Sequence, residues 1–164
     1  MIVCDTNILS TFARVGILDL LFQLFPRHDF VIPPAVYTEI NAAIQRGLLF
    51  LEMVLTQVDI GKIRLSTLTP EEEFERRELP ASFGLGEAAC VAICIRQSAI
   101  FLSNDKRVRN YCQGRGIEVY DLMRLLRALW ENKIVSKQKV HKIVNDIERS
   151  EEVVFKNRKD IFEK

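Results

Sequence analysis

Apolar residues along the chain fall in two patterns, short unbroken runs and longer stretches at helical spacing, and the two alternate. Ile2-Val3-Cys4 is an unbroken run closed by Asp5, which predicts a buried strand carrying a carboxylate at its C-terminal end. Over 7–25, Ile8, Leu9, Phe12, Ile17, Leu20, Leu21 and Leu24 keep helical spacing, with Gly16 as the break. Phe30-Val31-Ile32 repeats the strand pattern. Pro33-Pro34 then opens a helix carried by Val36, Ile40, Ala43 and Ile44 as far as Gly47. The stretch 48–58 is apolar throughout and fits helix or strand. Ile63-Arg64-Leu65 predicts a short strand, and Thr69-Pro70-Glu71-Glu72 a helix start with threonine as cap and acids in the first turn. Gly84 and Gly86 predict a turn before an apolar helix over 87–97. Next come a strand at Ile100-Phe101-Leu102, a helix over 105–113 and a last strand at Ile117-Glu118-Val119. Amphipathic helices follow over 121–132 and 137–149, and the charged tail after Ser150 is expected to fray.

Strands alternating with helices predict an α/β protein whose parallel sheet is covered on both faces. In such sheets the working crevice lies beyond the carboxyl ends of the strands, where strand order reverses. Asp5 and Asp105 both follow apolar strands, directly or nearly so, and should therefore meet in one crevice.

Composition narrows the classes. The chain has 164 residues, enough for one domain with a real core, and 48% hydrophobic against 27% charged residues predicts a soluble globular protein. No apolar stretch is long enough to cross a bilayer, and the first residues carry no basic leader, so the chain is expected to stay in the cytoplasm without membrane partners. The four cysteines (Cys4, Cys90, Cys94, Cys112) lie in apolar patterns, lack CxxC spacing and stand apart from His28 and His141; they predict reduced, buried thiols. A net charge of +1 does not announce a nucleic-acid binder. Its distribution is uneven, however, with Lys106, Arg107 and Arg109 just after Asp105 and five acids over 71–78.

Each candidate acid has an ordinary structural explanation. Asp5 and Asp105 could cap the helices that follow them, Glu39 could be an exposed helical glutamate, and Glu87 could be a first-turn acid beside a helix dipole. Their order changes the picture. With strand-end Asp5, helical Glu39, helix-start Glu87 and strand-end Asp105, the chain resembles the PIN-domain family. The matching stretches are Ile2-Val3-Cys4-Asp5-Thr6-Asn7-Ile8-Leu9, Val36-Tyr37-Thr38-Glu39-Ile40, Leu85-Gly86-Glu87-Ala88-Ala89 and Ile100-Phe101-Leu102-Ser103-Asn104-Asp105. The resemblance covers roughly 2–126. It implies a three-layer α/β/α fold, with a nuclease core over 1–126 and a helical extension over 127–164 packed on the same domain. It also implies a single-stranded RNA endonuclease, often the toxin of a toxin–antitoxin pair, with an antitoxin protein as partner and a homodimer as the usual assembly. The family commonly places a further acid two residues after the Asp105 equivalent, where this chain has Arg107; Asp121 is the alternative supplier.

The chemistry of the acids agrees. Carboxylates brought within about 4–6 Å repel unless a cation neutralises them. A hard divalent ion, Mg2+ or Mn2+, suits oxygen ligands, and two such ions ~4 Å apart could serve phosphodiester hydrolysis. Asn7 and Ser103 would orient carboxylates or metal-bound water, while Lys106, Arg107 and Arg109 would neutralise substrate phosphates. Two other readings stay open: a catalytically weak module of the same fold that binds RNA or protein, and a phospho-accepting receiver. The receiver needs a paired acidic cluster near the first strand and a late lysine after a strand, and neither is evident.

Overall fold

Ile2, Val3 and Cys4 are fully buried, as an unbroken apolar run requires, and the strand they form lies at the centre of the sheet. A computed structural model describes residues 1–163; Lys164, the last residue of the expected extension, lies outside the described residues. In chain order the elements are β1 (Ile2–Cys4), α1 (Thr6–Arg14), α2 (Leu18–Leu24), β2 (Phe30–Ile32), α3 (Pro34–Gln45), a 3-10 turn (Leu49–Leu51), α4 (Glu52–Asp59), β3 (Ile63–Leu65), α5 (Pro70–Glu78), α6 (Leu85–Gln97), β4 (Ile100–Leu102), α7 (Lys106–Gly114), β5 (Val119–Tyr120), α8 (Leu122–Glu131), α9 (Lys137–Glu151) and α10 (Lys159–Phe162).

All strand pairings are parallel and the sheet order is β3-β2-β1-β4-β5. The chain therefore leaves β1 toward one edge and returns to its other side with β4. The reversal of strand order falls between β1 and β4, and Ile2, Val3 and Cys4 pair with Ile100, Phe101 and Leu102 there. The Asp5 amide continues the ladder to the Leu102 carbonyl at 3.1 Å, so Asp5 stands at the carboxyl edge of this junction. Helix α6 packs on β1 and β4 with α3 and α5 beside it, while α8 packs on β5 with α2, α9 and α10 against it. The result is a three-layer α/β/α fold. Among the described residues no single helix is long and apolar enough to cross a membrane.

Three local expectations change, and one open choice is decided. After Leu48 the ambiguous stretch is helical, 3-10 over Leu49–Leu51 and α over Glu52–Asp59, with Leu51, Val54, Leu55 and Val58 turning one face inward. Helix α6 starts at Leu85 rather than Glu87: Gly84 takes the cap position, and Glu87 lands in the first turn with Oε2 accepting the Gly84 N–H at 2.9 Å. The last strand is Val119–Tyr120 and not 117–119. Gly116 turns with φ +71°, and the Ile117 amide is spent on the Cys112 carbonyl at 2.9 Å, closing α7. The described tail after Ser150 ends docked on the fold. Ile161 is fully buried, His141 stacks on Phe162 with ring centroids 3.6 Å apart, and Trp130 Nε1 donates to the Ile161 carbonyl at 2.7 Å. Two apolar side chains ending a charged segment supply enough burial to hold it down.

All four cysteines are free and buried, as their apolar spacing implied, and burial pushes each thiol upward, away from a reactive thiolate.

Candidate metal centre

Asp5 caps α1, its Oδ1 accepting the Ile8 N–H at 2.9 Å. That much is the ordinary role of an aspartate before a helix. Its other oxygen is not ordinary: Asp5 is 2% exposed, and Oδ2 is buried with no hydrogen-bond partner. Burial is the main reason its carboxyl is raised from 3.8 to about 6. The Ile8 amide and the Ser103 hydroxyl pull the other way, and the charges of Glu87 and Glu39 add to the rise.

Glu39 and Glu87 share a cavity of about 370 Å³ with Asp5, Thr6, Asn7, Ser82, Gly84 and Arg107. Glu39 reaches it from the middle of α3. Its Oε2 accepts the Thr6 hydroxyl and its Oε1 accepts the Gly86 N–H at 3.2 Å, so one carboxylate ties α3 to the first turns of α1 and α6. A side chain at position 86 would force the Glu39 carboxylate to move. A Cβ on Gly86 would stand 2.6 Å from Glu39 Oε1 and 2.9 Å from Oε2. Here glycine is needed for close approach rather than for its backbone angles.

Asp105 caps α7 through Oδ1, which accepts the Arg107 N–H at 2.7 Å and the Val108 N–H at 3.1 Å. Its Oδ2 pairs with Arg107 Nη2 at 3.1 Å, and this contact chiefly holds the Asp105 carboxyl below the usual range. Asp105 lines an adjoining groove of about 680 Å³ with Ser10, Thr11, Arg14, Asn104, Lys106 and residues 150–153. Asn7 lines both hollows. Asp5, Glu39 and Glu87 thus line one cavity, and Asp105, paired with Arg107, lines the adjoining groove. Among the described residues no three His, Cys, Asp or Glu side chains stand close enough to hold an ion between them.

Ser103 is fully buried beside Asp5, and its Oγ accepts the Asp105 N–H at 3.3 Å, linking the two strand-end aspartates. Lys106 is exposed on the groove. Arg109 lines neither hollow; its guanidinium pairs with Asp121, which also caps α8 by accepting the Arg124 N–H at 2.8 Å. Asp121 and Arg109 therefore pair with each other away from the cavity. The sequence patterns assign Thr6, Ser82 and Gly86 no part in the site. Thr6, between Asp5 and Asn7, and Gly86, before Glu87, both sit inside motifs already quoted.

The cavity is lined by carboxylate, hydroxyl, side-chain amide and carbonyl oxygens, and the nearby Cys4 and Cys90 are buried thiols held above their usual pKa, a set that suits a hard divalent ion over zinc. The orphaned Asp5 Oδ2 is an oxygen that such an ion would satisfy. Magnesium often takes one or two carboxylates and keeps waters elsewhere, so a cage of three acids is not required.

Compared with known proteins, residues 1–158 match a family model described as a PIN domain. No curated protein and no solved structure matches the chain.

Proposed function

The chain belongs to the PIN-domain family, whose members are generally nucleases, and from that premise we propose that it is a metal-dependent endoribonuclease acting on single-stranded RNA. The observation carrying this reading is the buried, unpartnered Asp5 oxygen at the strand-order reversal, flanked by Glu39 and Glu87. Asp5 and Asp105 would hold Mg2+ or Mn2+, with Glu39 and Glu87 adding charge. An ion held there would supply Lewis acidity and an activated water for phosphodiester hydrolysis. Ser103 would orient the Asp5 carboxylate while holding the Asp105 backbone, and Asn7, at the junction of cavity and groove, would position water or a phosphate oxygen. Lys106 and Arg107 meet substrate phosphates. Arg109, neutralised by Asp121, contributes little to that grip.

Service as the toxin of a toxin–antitoxin pair, an antitoxin partner, a homodimer and a cytoplasmic location belong to the same proposal and rest on family resemblance. One observation favours a second reading. Arg107 neutralises Asp105, as it would in a catalytically weak module that grips RNA without cutting it.

The test uses end-labelled single-stranded RNA with duplex RNA and single-stranded DNA as comparisons, in Mn2+ or in EDTA. Cleavage of the single-stranded RNA only with metal, lost in Asp5→Asn, is expected. Metal-dependent cleavage by Asp5→Asn at the unmutated rate would sink the assignment, and RNA binding without cleavage would establish the weak module.

A further inference from the structure

Arg107 stands in an otherwise acidic cavity, and its guanidinium is committed to the rim. Nη2 pairs with Asp105 Oδ2 at 3.1 Å, and Nη1 donates to the Ser82 carbonyl at 3.3 Å. The side chain therefore bridges the segment before α6 to the first turn of α7, and Glu87 adds attraction across the cavity. A planar fork can span an acid and a carbonyl in this way, where a lysine would offer only a point charge.

The two oxygens of Asp105 are not equivalent. Oδ1 is occupied by two backbone amides, as any helix cap would be. Oδ2 is the oxygen free to take an outside ligand, and Arg107 holds it. Asp5 lines the cavity that Arg107 enters, while Asp105 lines the adjoining groove, and Asp5 Oδ2 is buried with no hydrogen-bond partner at normal distance. One strand-end aspartate is thus left wanting a cation, while the other already has one supplied by the chain.

We propose that Arg107 is a built-in competitor of the divalent ion: its guanidinium occupies Asp105 Oδ2, and the ion gains that oxygen only when Arg107 releases it. This rests on the metal-nuclease reading above. The Arg107 side chain is 61% exposed, so its hold is screened by water and readily broken. Arg107 acts here as a positioning residue that sets metal affinity through Asp105, a role distinct from gripping phosphate.

The experiment is a Mn2+ titration of the metal-stripped full chain, following free Mn2+ by electron paramagnetic resonance. Unmutated protein is compared with Arg107→Ala, Arg107→Lys, Asp105→Asn and the double variant Asp105→Asn/Arg107→Ala. Thermal unfolding confirms that each is folded, which the exposure of Arg107 favours. Arg107→Ala is expected to bind Mn2+ roughly two- to fivefold tighter, the range corresponding to release of an exposed ion pair. Arg107→Lys should fall between, and the gain should vanish in the Asp105→Asn background. Equal or weaker Mn2+ binding by Arg107→Ala, with clear binding by the unmutated protein, overturns the competitor role and leaves the nuclease reading intact. Absence of Mn2+ binding at millimolar concentration in every protein overturns both.

Discussion

Replacing Asp5 by asparagine should stabilise the metal-free protein at neutral pH while removing its use for metal. The side chain is 2% exposed, so no discount for solvent screening applies. A carboxyl raised from 3.8 to about 6 corresponds to about 3 kcal/mol between its protonated and ionised forms. The folded state holds the proton more tightly than the unfolded chain. Stability linked to Asp5 is therefore fully present below about pH 4 and is lost as pH rises through about 6. Asparagine keeps an oxygen for the Ile8 N–H but places an amide nitrogen with unmet bonds near the Oδ2 position, at a cost of about 1–2 kcal/mol. In urea denaturation with EDTA, Asp5→Asn should thus exceed the unmutated protein by about 1–2 kcal/mol at pH 8 and fall below it by a similar amount at pH 4. The crossing is the diagnostic. Adding Mn2+ at pH 8 should reverse the order, since an ion at one hundred times its Kd stabilises its binder by about 2.7 kcal/mol and Asp5→Asn should gain little. A difference between the two proteins that stays constant from pH 4 to pH 8 would refute the argument that burial of an unpartnered charge governs this site.

Two further changes probe the surroundings. Gly86→Ala gains about 1 kcal/mol of helix propensity. It also drives a Cβ to within 2.6 Å of a Glu39 oxygen, displacing a carboxylate pinned by Thr6 and by its own backbone. The lost charged hydrogen bonds, about 1.5–3 kcal/mol each before partial exposure is allowed for, outweigh the gain, so net destabilisation of ~0.5–2 kcal/mol and weaker Mn2+ binding are expected. A stabilised Gly86→Ala protein with unchanged Mn2+ affinity would show that Glu39 needs no such seat. Ile161→Ala removes a fully buried side chain from the C-terminal segment and should lower unfolding free energy by ~2–5 kcal/mol in urea, whereas a change under ~0.5 kcal/mol would mean the segment is not docked.

Features spanning a turn or less were legible in the chain. Asp5 at the end of an apolar run, Thr69 before Pro70, and the break at Gly16 are decided by neighbours within four residues, and the structure puts each where the pattern placed it. Of the acids, Asp5, Glu39 and Glu87 line one cavity and Asp105 the groove beside it, and Glu39 reaches the cavity from the middle of α3, where neither a strand end nor a helix start marks it. What lay beyond reach was pairing across the chain. The Thr6 hydroxyl finds Glu39 at a separation of 33 residues, the Gly86 amide finds it at 47, and Arg107 finds the Ser82 carbonyl at 25. Within the acidic run over 71–78, Glu72 is 1% exposed and takes a bond from Gln97 Nε2 at 2.6 Å, which its neighbours in sequence do not foretell. Nor could the sequence say that Arg109 would be neutralised by Asp121 while Arg107 turned to Asp105. The physical reason is common to all of these. A backbone responds to its nearest neighbours, but the charge state and free oxygens of a carboxylate depend on desolvation and on partners that only the packed sheet and helices bring within a few ångströms.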